Sequence, residues 1–315
     1  MENLSSRDQL RRFSKFIVSH ELYSHAVSTL DAAISATDAS EQPMSALLTG
    51  EQGTGKTTVC KYMVAKLPKP HVKSEEDGVR KIVPAFYCSV PSPVTIKSLA
   101  IVMLDKLGDA DLSGSQGILS KRLHELLKTC QTRVIYLDEF HHLLTSEAQK
   151  ASKGVCDWVK GLMNATGVTV VLVGLPKCED IINEDAELSR RFPFRAHLDR
   201  IAYSTGAKSQ YLMILRALTK AMIEHAGVKE VPPLTDLARA SQIYVATGGN
   251  MNAIRQLLFL VLCIALERGK KVVEWSHFAE AYDKVYLESS MVRGRNPFKL
   301  PAAEIQKILA NGGNR

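Results

Sequence analysis

Gly50-Glu51-Gln52-Gly53-Thr54-Gly55-Lys56-Thr57 has the residue types and spacing to hold a nucleoside triphosphate. Glycines let main-chain N–H groups close around phosphate oxygens, and a helix that starts at once behind them aims its first N–H groups at the same anion. Lys56 can place its ammonium on the β- and γ-phosphates, and the Thr57 hydroxyl is a hard ligand for Mg²⁺. A chance glycine-rich turn would satisfy the bare pattern. It would not also carry the apolar strand Ala46-Leu47-Leu48 before it and helical spacing from Thr58 to Val64 behind it. The phosphate-binding set is therefore Gly50, Gly53, Thr54, Gly55, Lys56, Thr57 and Thr58.

Val134-Ile135-Tyr136-Leu137-Asp138-Glu139 is a second apolar strand, and it ends in two acids. In ATPases with such a loop the first acid, here Asp138, holds Mg²⁺ together with the loop hydroxyl, Thr57. Glu139 is placed to polarise a water for attack on the γ-phosphate. A glutamate there points to hydrolysis of ATP rather than transfer to a small acceptor. His141 and His142 follow directly, but adjacent histidines at a helix start are expected to point apart and do not read as a metal site.

These groups need a frame. Residues 5–35 read as two short helices, with Phe13, Phe16, Ile17 and Val18 followed by Leu22, Tyr23, Ala26 and Leu30. Residues 38–43 form a polar break, and 68–78 read as a polar, charged connection. Ile82 to Tyr87 reads as a strand in which Pro84 marks an edge or a bulge. Helices near 95–107, 116–129 and 146–164 alternate with the strand at 134–139 and the continuous apolar run 168–173, as in a parallel sheet. The expectation is a three-layer α/β core over 41–204 behind an N-terminal helical region, 1–40. Helical patterns at 205–226, 234–246, 250–268 and 275–287 make 205–290 an all-helical lid. A tail, 291–315, contains the basic stretch Arg293 to Phe298 and an amphipathic run, Ala302 to Ala310. It is either a docking peptide or a helix packed on the lid.

Composition sets limits. Forty Lys and Arg against 33 Asp and Glu give +7, which suits a polyanionic partner without requiring one. The six cysteines are scattered without a CxxC pair, so they read as buried free thiols in a reducing compartment. No apolar run approaches the ~20 residues needed to span a bilayer, and Met1 to Arg12 lacks a signal-peptide core. A cytoplasmic location without membrane attachment is expected.

A phosphate-loop core followed by a helical lid resembles the AAA+ ATPases. That resemblance implies an arginine finger in Leu188-Ser189-Arg190-Arg191-Phe192, with Arg191 at the matching position and Arg190 as the other choice. Such an arginine reaches the γ-phosphate of a neighbouring subunit. Gly248-Gly249-Asn250-Met251-Asn252-Ala253-Ile254-Arg255 resembles the lid helix that carries a phosphate-sensing base. Asn252 occupies the usual place, and Arg255 is either the nucleotide-binding base one turn on or an exposed helix residue. After Val173-Gly174-Leu175-Pro176 the polar first sensor of many relatives is missing.

Within AAA+, the Gly-Glu-x-Gly-x-Gly-Lys-Thr loop, Leu137-Asp138-Glu139-Phe140-His141-His142-Leu143-Leu144, Val171 to Pro176 and the Arg190-Arg191-Phe192 box resemble the TniB/TnsC transposition regulators, over about residues 10–290. The resemblance implies homo-oligomers that assemble with ATP and Mg²⁺ as rings or helical filaments on double-stranded target DNA, without sequence preference. They link a target-selection factor to a DDE transposase, and hydrolysis promotes their disassembly. A finger in trans needs a head-to-tail interface, which yields rings or filaments. Candidate DNA phosphate contacts are Lys73, Arg80, Lys81, Thr95 and Lys97. The alternatives are a helicase loader or replication initiator, a P-loop phosphotransferase, and a nucleotide-sensing scaffold.

Overall fold

The strands of the core are apolar on both sides, and their side chains alternate between two helical layers. In β1 (Ala46–Thr49), Leu47 enters one core while Ala46 and Leu48 enter the other. In β5 (Val134–Asp138), Ile135 and Leu137 oppose Val134 and Tyr136; in β6 (Thr169–Gly174), Val170 and Leu172 oppose Val171 and Val173. Such strands are stable only with helices on both faces of a parallel sheet. With β4 (Ala85–Ser89) and β7 (Phe194–His197) they form a five-stranded parallel sheet in the order β4-β5-β6-β1-β7. The computed structural model describes residues 5–40, 42–75, 78–144, 149–269 and 271–312.

One face of the sheet is covered by α2 (Glu21–Ser40) and α3 (Lys56–Lys66), through Tyr23, Leu30, Val59 and Met63. The other is covered by α4 (Ile96–Leu107), α5 (Gln116–Thr129), α6 (Gln149–Thr166), α7 (Cys178–Glu184) and α8 (Ala186–Arg191). This is the expected three-layer α/β core. The expected start of α6 near 146 lies outside the described residues.

The connection at 68–78 is not simply loop: it holds an antiparallel hairpin of β2 (His71–Glu75) and β3 (Gly78–Ile82). Pro84 then separates β3 from β4, so the strand expected at 82–87 begins at Ala85.

The chain divides into two compact units, one of residues 22–199 and one joining 1–21 to 200–315. The N-terminal helical region expected over 1–40 is thus split: α2 belongs to the sheet unit, and α1 (Ser6–Lys15) to the helical unit. The reason is packing, because α1 lies on α9 (Gln210–Ala226) and α11 (Met251–Glu267). The helical unit also contains α10 (Leu237–Thr247), α12 (Trp275–Asp283) and α13 (Ala302–Gly312). Asn250 caps α11 by accepting from Ala253 N at 3.1 Å, where the chain turns sharply out of α10. The tail is a packed element: Ile305 of α13 meets Val245 and Val292, and Phe298 lies 5.4 Å from the Trp275 ring. No single described helix is long and apolar enough to cross a membrane.

Candidate active site

The phosphate loop connects the end of β1 to the start of α3, as its sequence requires. Gly50 is pressed against β7: a Cβ there would lie 2.2 Å from the Leu198 carbonyl oxygen, so no side chain fits. Gly55, the N-cap of α3, has φ +106°, which a glycine adopts without strain. Gly53 completes the turn, and the buried Thr54 closes it by donating its hydroxyl to Glu51 O at 2.9 Å. Lys56 Nζ lies along the loop, donating to Gly50 O at 2.7 Å and Glu51 O at 2.9 Å. Burial pushes its pKa down, while Asp138, Glu139 and Glu51 pull it back up. Thr58 is exposed on the first turn of α3.

Asp138 ends the central strand β5 and is buried. Its Oδ2 accepts from Thr57 Oγ1 at 2.6 Å and from Tyr87 Oη at 2.8 Å, and its Oδ1 accepts from Glu139 N at 2.8 Å. A threonine hydroxyl and an aspartate carboxylate this close, both hard oxygen donors, fit Mg²⁺. Sequence reasoning missed Tyr87; β4 lies beside β5, with Tyr87 opposite Tyr136, and only that pairing reveals the contact.

Glu139 is held in an unusual backbone state, φ +62°, rare for a residue with a side chain and frequent at functional sites. His141 Nε2 lies 3.2 Å from Glu139 Oε2. Burial lowers the His141 pKa while Glu139 pulls it back up, and the buried Nδ1 has no hydrogen-bond partner among the described residues. The two histidines do not point apart as expected. Their rings meet edge to face at 5.0 Å, and their ligating atoms lie within 4.8 Å of one another and of the Glu139 carboxylate. His142 Nδ1 is 2.9 Å from Val90 O.

The remaining sequence candidates fall elsewhere. Arg190 and Arg191 occupy the last turn of α8, Arg190 exposed and Arg191 half-buried. Arg191 O accepts from Ser45 N at 2.8 Å, just ahead of β1, whereas the phosphate loop leaves the other end of that strand. Arg255 is in the helical unit, and its guanidinium is used there. It donates to Phe16 O at 2.5 Å, Ser14 O at 2.8 Å and Phe13 O at 3.4 Å, capping the C-terminal end of α1. It is half-buried rather than exposed, and it ties α1 to α11.

Lys73 and Arg80 are directly opposite each other on the β2–β3 hairpin. Lys81 is exposed, with its Nζ donating to Leu107 O at the end of α4 at 2.9 Å. Thr95 is the N-cap of α4, accepting from Ser98 N at 2.9 Å, and Lys97 is exposed in the first turn. Cys60, Cys88, Cys130, Cys156 and Cys178 are buried free thiols, and Cys263 is half-buried.

A family model described as "Bacterial TniB protein" matches residues 12–200. Among solved structures, the Aeropyrum pernix Orc1 protein in complex with DNA aligns with TM-score 0.62 at 20% identity, covering 89% of this chain and 70% of that one. The Aeropyrum pernix ORC2 protein, with ADPNP and ADP, gives 0.60 at 12% identity, covering 96% and 97%. The Thermotoga maritima RuvB Holliday junction branch migration motor gives 0.53 at 13%, covering 87% and 73%. At these identities the likeness is one of fold. No curated protein sequence matches the chain significantly.

Proposed function

We propose, from the premise that the chain belongs to the TniB family, that it is an ATP-driven adaptor that assembles on DNA for transposition. The chain is an AAA+ ATPase. The observation that carries the chemistry is the convergence of Thr57 and Tyr87 on one oxygen of Asp138, beside Glu139 and behind Lys56. Lys56 would exchange the loop carbonyls for phosphate oxygens. Thr57 and Asp138 would hold Mg²⁺, which supplies charge neutralisation on the β- and γ-oxygens. Glu139 accepts the proton of the attacking water, and His141 fixes its carboxylate through Oε2.

Arg191 cannot serve its own phosphates. Its backbone lies at the opposite end of β1 from the loop, about 15 Å away at ~3.3 Å per residue. An extended arginine side chain spans roughly 7 Å. This separation supports reading Arg191 or Arg190 as a finger for a neighbouring subunit, in a head-to-tail ring or helical filament.

The DNA reading rests on charge. The net charge is +7. Lys73 and Arg80 stand opposite each other on the β2–β3 ribbon, a placement in which both can contact one phosphate backbone. Lys81 is exposed on the same hairpin although its Nζ donates to Leu107 O, and Lys97 is exposed at the opposite end of α4. The partners in this reading are a target-selection factor and a DDE transposase.

The test is binding to unrelated duplexes of equal length, with ATP, with ADP and without nucleotide. ATP-dependent, sequence-indifferent binding that weakens steeply with salt is expected, with turnover that changes on DNA. Tight binding of one short sequence without ATP would replace this reading with an initiator-like protein.

A further inference from the structure

Helix α8, which carries Arg190 and Arg191, is only six residues long, and such a helix is unstable by itself. It is held at both ends by a cation. At its start, Asp185 is the N-cap, accepting from Glu187 N at 2.9 Å and Leu188 N at 3.0 Å. Lys160 of α6, with only 9% of its surface exposed, places Nζ 2.8 Å from Asp185, 3.4 Å from Glu187 and 2.8 Å from Asp157. At its end, Arg195 of β7 donates to Ser189 Oγ at 3.0 Å, Phe192 O at 3.4 Å and Asn183 Oδ1 at 2.7 Å.

The lysine has a second consequence. Glu187 stands three and four residues before Arg190 and Arg191, the spacing at which a glutamate pairs with a following arginine on one helix face. Lys160 draws the Glu187 carboxylate away, towards the helix start. Neither Arg190 nor Arg191 has an ion-pair partner among the described residues. Leu188 and Phe192, both buried, anchor the apolar side of the segment. The helix is thus fixed in place while its two arginines stay available.

We propose that Lys160 and Arg195 are positioning residues for the arginine finger: they set α8 for use by the neighbouring subunit, and Lys160 keeps Glu187 from neutralising Arg190 and Arg191. The proposal rests on the shared-site reading above. Lys160 and Arg195 therefore belong to catalysis in the next subunit's site, not in their own.

The experiment measures ATP affinity and ATP turnover of the full chain. Lys160→Met should bind ATP within about twofold of wild type, since its own loop is intact, yet turn over at least about tenfold more slowly, the scale of losing a charged group acting on the transition state. Mixed with Lys56→Ala, it should recover turnover towards roughly a quarter of wild type, the share of productive neighbours in a random head-to-tail assembly. Adding Glu187→Gln to Lys160→Met should also restore part of the rate, and Lys160→Arg should resemble wild type. Arg195→Gln carries the same prediction from the other end of α8 and serves if Lys160→Met does not fold. The reference is the double variant Arg190→Ala/Arg191→Ala mixed with Lys56→Ala. If that reference recovers and neither Lys160→Met nor Arg195→Gln does, or if both of these turn over ATP like wild type, the positioning role is overturned alone. If the reference itself does not recover in assemblies shown to be mixed, the shared site falls and this role falls with it.

Discussion

The phosphate loop and helix α8 each carry basic side chains, Lys56 in one and Arg190 and Arg191 in the other, and they are built in opposite ways. The loop holds Lys56 with its immediate neighbours, the carbonyls of Gly50 and Glu51 at 2.7 and 2.9 Å. Its shape follows from consecutive residues. Helix α8 holds Arg190 and Arg191 with side chains brought from afar, above all Lys160, 25 positions before Asp185. A local device tolerates change elsewhere in the molecule and fails when its own residues change. A device made of long-range contacts can be switched off by a substitution that touches no substrate. That contrast also fits the tasks proposed for them, with the loop binding within one subunit and the arginines acting on the next.

The largest effect should come from the local device. Lys56→Ala removes the cation at the centre of the loop and should weaken ATP about 1000-fold, roughly 4 kcal/mol, in a direct binding titration. Retained affinity would break the comparison at once, because the loop would not be what holds the phosphates. Glu139→Gln comes next. It keeps the shape of the site but not the basic carboxylate, so turnover should fall about 100-fold while ATP binding persists and assemblies on DNA live longer. Turnover at the wild-type rate would place water activation elsewhere.

Tyr87→Phe sharpens the comparison, because Tyr87 reaches Asp138 from the neighbouring strand β4, a long-range contact like those that hold α8. Its hydroxyl shares Asp138 Oδ2 with Thr57, and loss of that donor leaves only Thr57 and the Glu139 amide to orient the carboxylate. Groups that orient a ligand-holding carboxylate contribute about tenfold or more in metal affinity. The variant should thus need about tenfold more Mg²⁺ to reach full ATP affinity, with nucleotide binding in excess chelator unchanged. An unaltered Mg²⁺ requirement would show that Thr57 and the Glu139 amide suffice to orient Asp138.

The same contrast decides what could be read without coordinates. The loop, the Asp138-Glu139 strand end and the alternation of strands with helices are local patterns, and the sheet forms where those patterns lie. The β2–β3 hairpin was hidden because its apolar residues Val72 and Val79 are exposed and only Ile82, at its end, is buried among the described side chains, too little to create a period. The contact of Tyr87 with Asp138 depends on strand order, which no spacing reveals. The assignment of α1 to the helical unit was equally hidden, since its partners α9 and α11 lie some 200 positions on along the chain. His141 and His142 were misjudged because they sit in a 3-10 turn, Phe140–Leu144, following a left-handed residue. Directions expected from a regular helix do not apply there.

Arg255 gives the last and smallest effect on nucleotide chemistry, and it tests how far local spacing can be relied upon. A glycine pair followed by a capped helix and a base has the appearance of a phosphate-sensing element, yet the guanidinium is committed to Phe13, Ser14 and Phe16 carbonyls. Those carbonyls end α1, where a helix lacks intrahelical donors, and a cation there also meets the negative end of the helix dipole. Arg255→Ala should therefore leave ATP affinity within about twofold and destabilise the helical unit by roughly 1–3 kcal/mol, the range for losing a charged donor to partly buried acceptors. Urea unfolding would report the loss of stability, and faster amide exchange confined to α1 would locate it. Arg255→Lys should restore only part of the difference, because a single ammonium cannot reproduce a planar fork across three carbonyls. A variant of native stability with ATP affinity reduced tenfold or more would mean the opposite: the base reads the phosphates, and its seat on α1 is incidental.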